Sequence, residues 1–319
     1  MIAETPAPPP SFRRRRPRFG DAGLRILAGA AAIGALLLVG LLVYKVTEEA
    51  WPSISEFGLA FLWGKEWNAV TGEFGALYLI WGTAFSSLVA IAIAAPVAIA
   101  IGLFLSELAP RRLRGPVGAL VELLAAIPSV VLGLWGILVM GPFLEQHVEP
   151  FLIDHFGWIP LFSGTPSNVG LLPACLVLTI MIVPIVSSIC RELFDSVPSE
   201  LKAGSLALGS TRWEMMRGVA IPQVSGGIVA AVILGLARAM GEAIAVSLTI
   251  GGTARTGWSL FGSADTLASR IANQYQGAAT ALQTSSIAYL ATILLVLSLG
   301  ANLTAALIVR RIRRRMGAR

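Results

Sequence analysis

The sequence predicts an all-α integral membrane protein of six transmembrane helices with both termini in the cytoplasm. Three observations carry that prediction: an apolar composition, six apolar runs of spanning length, and a one-sided distribution of Lys and Arg. Hydrophobic residues make up 55% of the 319, charged residues only 13%, and mean hydropathy is +0.77. Soluble domains carry about 25% charged residues, so lipid is the solvent for much of this chain.

Crossing about 30 Å of hydrocarbon takes roughly 20 apolar residues in a helix. Six segments reach that length: Leu24 to Tyr44, Leu79 to Leu105, Val117 to Met140, Val169 to Ile189, Val224 to Ile250, and Ile287 to Val309. Each must be helical, because a backbone amide in hydrocarbon has no water to bond. Pro96, Pro128 and Pro184 fall inside these runs and predict kinks. Of the 24 Lys and Arg, 19 lie on one side of the spans, between Arg13 and Arg25, Arg111 and Arg114, Arg191 and Arg217, and Arg310 and Arg319. Lys45, Lys65, Arg255 and Arg270 lie on the other, and the positive-inside rule makes the richer side cytoplasmic.

Residues 1–23, with Pro8 to Pro10 and the run Arg13 to Arg16, bury no core and read as a disordered basic cytoplasmic tail near anionic headgroups. Residues 310–319 read as a second basic cytoplasmic tail. The first helix, 24–44, exceeds the apolar region of a signal peptide and lacks a following small-residue cleavage site, so it is expected to be retained. On the outer side, Trp51, Trp63, Trp67, Trp158 and Trp258 fit the headgroup level. The loops from Lys45 to Leu77, Gly141 to Asn168 and Gly251 to Ser286 are long enough to meet an external partner, and acidic residues outnumber basic ones there. A free anion is repelled by such a field, which favours delivery by a carrier.

Several function classes are excluded. A pI near 9.9 fits nucleic-acid binding only with a basic face on a folded surface, and here the charges flank apolar runs. Membrane lipid, and no nucleic acid, is therefore expected. Cys175 and Cys190 share one apolar stretch and suit neither a metal cluster nor a disulfide framework. Gly64 and Lys65 are followed by Glu66, so no phosphate-binding ATPase loop is present. His147 and His155 lack a metal-ligand pattern, and no nucleophile elbow appears. The chain is expected to be no enzyme and to hold no metal or cofactor.

Two regions carry function instead. The inner connection from Arg191 to Gln223 places Leu201, Ala203, Leu206 and Leu208 at helical spacing after Pro198, then breaks at Gly209. Thr211 and Glu214 have the spacing of a capping box, predicting a second short helix that Pro222 ends. Such a pair reads either as a knob that transmits force from a soluble partner or as helices lying flat on the membrane. In the fifth span, Arg238 and Glu242 are four residues apart, hence one turn apart on one face of a continuous helix. Each charge costs about 2.5–3.5 kcal/mol at mid-bilayer on insertion scales. A guanidinium offers a fixed fork of donors to a tetrahedral oxyanion, with Glu242 balancing its charge between visits. The alternative is an ion pair that sets helix register. Gly227, Ala231, Gly235, Ala239 and Ala243 form a small-residue ladder on the same helix, for close packing within the chain or against a second subunit. Glu122 lies near enough to the cytoplasmic interface to reach it.

The segment LKAGSLALGSTRWEMMRGVAIP resembles the coupling loop of bacterial ABC-importer permeases. Gly209 matches its glycine, and Ile221 with Pro222 its hydrophobic-proline end. The motif's Glu-Ala-Ala is Ala203, Gly204 and Ser205 here, and Glu200, one turn earlier, is the nearest acid. With FGALYLIWGTAFSSLVAIAIAAPVAIAIGLFLSELAP, ELLAAIPSVVLGLWGILVMGP, LARAMGEAIAVSLTIG and TLASRIANQY, the chain resembles the phosphate-specific ABC-importer permeases, C-type subunit. That resemblance implies a type I ABC importer core over residues 74–309, coupled through residues 191–223. It implies import of inorganic phosphate across the cytoplasmic membrane, with Arg238 and Glu242 on the substrate pathway. It implies as partners an A-type permease, two cytoplasmic ATPases that hold ATP and Mg, and an extracytoplasmic phosphate-binding protein. A permease for another oxyanion or a phosphonate, and a membrane scaffold or sensor, are the alternatives.

Overall fold

The computed structural model describes residues 19–317 of the chain, which divides into two compact units, Met1–Lys45 and Val46–Arg319. Of the tail expected over residues 1–23, residues 1–18 lie outside the described part, and helix begins at Phe19. Helix α1, Phe19–Phe57, contains the expected first span. Among the described residues six helices are long and apolar enough to cross a membrane.

In the second unit, α2 spans Leu77–Leu108, α3 is Arg111–Ala126, α4 spans Ser129–Phe156 and α5 is Leu171–Asp195. The short α6, Ser199–Ala207, precedes α7, Arg212–Gly241, and α8, Ile244–Thr249. Helix α9, Leu267–Gln274, leads into α10, Ala281–Gly317. A hairpin of two-residue strands, β1 (Trp67–Asn68) and β2 (Glu73–Phe74), pairs antiparallel with Trp67 opposite Phe74.

The core forms where α2, α5 and α7 meet. Ile91, Ala94 and Ala98 of α2 pack with Val177, Leu178, Ile182 and Val186 of α5 and with Ala231 and Ala239 of α7, all buried. Close approach depends on glycine. A Cβ on Gly235 would lie 2.8 Å from methyl groups of Ile182 and Val186, and one on Gly227 would lie 2.6 Å from Leu193. The small-residue ladder thus packs within this chain, at least from Gly227 to Ala239.

Prolines shape the spans more than expected. The predicted third span, Val117 to Met140, is two helices, because Ile127 takes extended backbone (ψ 126°) and Pro128 stands before α4. The Pro ring disfavours α geometry in the residue before it. The spanning helix is Ser129–Phe156 instead, so most of the loop expected from Gly141 is helical. Helix α3 is an amphipathic segment that exposes Leu120, Leu123 and Glu122. Among the described residues four π turns occur, at Phe104–Leu108, Gly136–Met140, Leu144–Val148 and Met216–Ala220. Each ends two residues before a proline: Pro110, Pro142, Pro150 and Pro222. Proline lacks the N–H for the carbonyl four residues back and clashes with it; rewinding to i+5 bonds relieves the misfit. Pro222 consequently does not end the short helix after Thr211, which continues into the span. At the far end α10 carries on through the arginines to Gly317, where a tail was expected from residue 310; arginine is a good helix former and no breaker intervenes.

A second core gathers Phe61, Phe74, Tyr78, Leu79, Leu267 and Leu290. Helix α9 is pinned to α2. Thr83 Oγ1 accepts from the Leu267 amide at 2.9 Å while donating to Leu79 O at 2.7 Å, and the Asp265 carbonyl crosses so near Gly82 that a Cβ there would lie 2.0 Å from its oxygen. Asp265 and Arg270 form a buried ion pair, Oδ2 to Nε 2.7 Å, with the guanidinium 5.7 Å from the Tyr78 ring and 5.8 Å from the Trp67 ring. Trp67 Nε1 donates to Gln274 Oε1 at 2.8 Å. Trp67 therefore belongs to this core rather than to an interfacial belt, whereas Trp51, Trp63, Trp158 and Trp258 are exposed.

Candidate functional site

Helix α7 presents two faces. Val224, Ile228, Ala231, Gly235 and Ala239 are buried against the chain's own helices. Ala230, Leu234 and Arg238, at four-residue spacing, are exposed on another face. Arg238 sits in the last turn, where a cation faces the negative end of the helix dipole. Its partner does not sit where periodicity placed it. The helix stops at Gly241, Glu242 takes extended backbone (ψ 115°), and no ion pair joins the two side chains among the described residues.

Glu242 instead turns toward the start of α8, where its Oε1 accepts from the Ala245 amide at 3.4 Å. Glu242 stands one residue before the N-cap, Ala243, and this contact reaches an amide in the first turn that α8 leaves free. The expected span Val224 to Ile250 is thus broken, with Arg238 in the last turn of one helix and Glu242 beside the start of the next. The broken point packs against α4, where a Cβ on Gly133 would lie 2.9 Å from the Ala245 Cα. Ala230 and Leu234 went unremarked in the sequence; their signal is a ladder of the same period as the glycines, offset by one residue.

The elbow between α5 and α7 follows its local sequence closely. Helix α6 starts after Pro198 with Glu200 in its first turn, where an acid complements the dipole. Ala203 and Gly204 are exposed, and Ser205 is half-buried. Gly209 turns with φ +88°, open to glycine and strained for other residues. The capping box is complete: Thr211 Oγ1 accepts from the Glu214 amide at 3.2 Å, and Glu214 Oε2 accepts from the Thr211 amide at 2.8 Å. Ser205 and Ser210 hydroxyls, 2.7 Å apart, brace the turn. Met215, Met216 and Ala220 are buried, Ile221 is half-buried and Pro222 exposed. The elbow thereby stands on a packed base and presents Leu208 and Trp213, which are 91% and 61% exposed.

Comparison with known proteins agrees with this layout. The family described as binding-protein-dependent transport system inner membrane component matches residues 98–314. The chain is 43% identical over 308 residues to the phosphate transport system permease protein PstC of Mesorhizobium japonicum, covering 95% of this chain and 94% of that protein. It is 40% identical over 290 residues to the protein of that name from Pasteurella multocida, covering 90% of each. In fold it is similar to a chain of a bacterial alginate ABC transporter solved with a pentasaccharide-bound periplasmic protein, with TM-score 0.62, 16% identity, and 92% and 97% of the two chains covered. It is also similar to the inward-facing MetNI methionine ABC transporter, with TM-score 0.55, 21% identity, and 74% and 97% covered. With that family pattern over more than half its length and such relatives over nearly all of it, the chain belongs to the binding-protein-dependent transport system inner membrane component family.

Proposed function

We propose that this protein is one of two permease subunits of an ATP-driven importer of inorganic phosphate in the cytoplasmic membrane. The observation that carries the reading is Arg238, charged and exposed on the face of α7 turned away from the chain's own core. Left against lipid, that charge costs about 2.5–3.5 kcal/mol at mid-membrane; facing a polar passage shared with a second subunit, it does not. Its guanidinium fork fits the oxygens of phosphate. Glu242, beside the start of α8, carries the negative charge near the same break, so the anion meets a cation while the local sum stays near neutral. The PstC relatives support phosphate as the substrate.

An extracytoplasmic binding protein delivers the anion past the acidic outer loops. Two cytoplasmic ATPases, holding ATP and Mg, seat on the apolar tip of the elbow, and both termini of this chain lie on their side. Closure of the ATPases displaces α6 and repacks the spans around the passage. The test is uptake of radiolabelled phosphate in cells whose own permease is replaced by Arg238→Gln, with membrane insertion matched. Uptake is expected to fall at least tenfold, with Arg238→Lys intermediate because it keeps charge but loses the fork. Unchanged uptake in Arg238→Gln removes that residue from the pathway. Competition by phosphonates or other oxyanions at equal concentration separates the alternative substrates, and failure to co-purify an ATPase supports a scaffold instead.

A further inference from the structure

The elbow must move more than the helices it is covalently joined to. Helix α6 connects through the chain to α5 on one side and α7 on the other, but α2, which packs along α5 more extensively than any other helix pair, has no covalent link to it. One side chain spans that gap. Lys202 of α6 is largely buried, and its Nζ lies 2.5 Å from Glu107 Oε1 at the inner end of α2. It also donates to the Phe194 carbonyl in the last turn of α5 at 2.9 Å. Phe194 is itself fully buried, so this carbonyl is a fixed point.

The receiving end is braced as a unit. Ser106 donates to Asp195 Oδ1 at 2.5 Å, joining the ends of α2 and α5, and Arg114 Nη2 donates to the Ser106 carbonyl at 2.6 Å, bringing in α3. Arg191 stands 4.0 Å from Asp195 one turn back on α5. Among the described residues, no other hydrogen bond or ion pair runs from residues 199–207 to α2 or α5. Exposed ion pairs contribute little and yield under load, but here both side chains are mostly shielded, at 18% and 14% exposure. A shielded, charge-assisted bond is shorter and stronger than a neutral one.

We infer that Lys202 is a positioning residue that carries displacement of α6 into α2 through Glu107. This rests on the coupling role proposed above. The elbow motif resembles that of other permeases through Gly209, Ile221 and Pro222; the lysine adds a charged link from α6 to α2, so that α2 shifts with α5 and α7 rather than lagging behind them.

The test uses the whole complex in lipid vesicles, with nitroxide pairs read by pulsed electron resonance with and without ATP. One pair joins Ala203 on α6 to Trp158 on the outer side; the other joins Leu108 at the end of α2 to Trp158; all three positions are exposed. In the unaltered chain ATP is expected to shift both distances. In Lys202→Met, and independently in Glu107→Gln, the Ala203 distance still shifts while the Leu108 shift falls by at least half. The double exchange Lys202→Glu with Glu107→Lys restores it. A full Leu108 shift in both single variants overturns the inference. Absence of any ATP-driven shift at Ala203 in the unaltered chain overturns the coupling reading and the inference with it. Phosphate uptake by the unaltered vesicles reports separately on the substrate.

Discussion

Arg270 offers the sharpest energetic test of the second core. Its Nε lies 2.7 Å from Asp265 Oδ2, and the two side chains are 12% and 3% exposed. At an effective dielectric of about 20 the attraction is about 6 kcal/mol before desolvation is subtracted. Arg270→Met keeps the apolar stem that lies beside Trp67 and Tyr78 but leaves a buried carboxylate without its cation. Removing one member of such a pair costs about 3–5 kcal/mol, and the loss includes about 0.5–1 kcal/mol from the two ring contacts. The pH dependence has a definite sign. Burial pushes the Asp265 carboxyl above its usual range, while Arg270, the Thr266 amide and Ser269 pull it down. Without Arg270 the carboxyl rises further. A group raised in the folded state contributes its stability when protonated and loses it as pH climbs through the folded value. The penalty of Arg270→Met is therefore largest near pH 8 and shrinks toward pH 5. Chemical denaturation of the detergent-solubilised protein across that range measures it. The double variant Arg270→Met with Asp265→Leu should cost less than Arg270→Met alone, because no buried charge is left behind. A loss below about 1 kcal/mol at pH 8, a pH-independent loss, or a double variant that costs as much as the two single changes summed refutes the reasoning.

Three further outcomes follow from the packing. Gly82→Ala drives a Cβ to 2.0 Å from the Asp265 carbonyl, a backbone atom held by the neighbouring Thr83–Leu267 bond; the expected loss is about 3 kcal/mol, seen as a lower denaturation midpoint. Gly235→Ala, pressed against Ile182 and Val186 at 2.8 Å, lowers the same midpoint, whereas Gly204→Ala on open, exposed α6 raises stability by about 0.5–1 kcal/mol. Thr211→Ala removes the capping box at a cost of about 1 kcal/mol; hydrogen exchange should quicken at the amides of residues 212–215 with little change in global unfolding.

How much could be read in advance depended on range. The elbow was legible almost residue by residue, since Pro198, Gly209 and the Thr211–Glu214 pair each act within one turn of chain. Its continuation was not: Pro222 reads as a stop, yet a π turn at Met216–Ala220 carries the helix past it. That rewinding precedes Pro110, Pro142 and Pro150 as well but not Pro96 or Pro184, which lie inside regular α-helix, so proline alone does not announce it. Arg238 and Glu242 stand out in the sequence as ionisable groups in a hydrophobic run. Their pairing was misread because periodicity assumes an unbroken helix, and this one ends at Gly241 with Glu242 in extended backbone. Trp67 was misplaced for a related reason: a tryptophan in an outer loop carries no mark that Arg270 and Phe74 will close around it.

Composition, hydropathy and the placement of Lys and Arg were enough to predict a six-helix membrane chain with a structured inner elbow, because burial in lipid leaves helix as the only spanning conformation and capping is a short-range bond. Which helices touch was not encoded in any window of residues. The choice of Gly227 and Gly235 for intrachain packing, the face on which Arg238 stands, and the reach of Lys202 to α2 depend on contacts between segments far apart in the chain. Those contacts are selected by shape and by the desolvation of particular charges, and they exist only once the helices have packed.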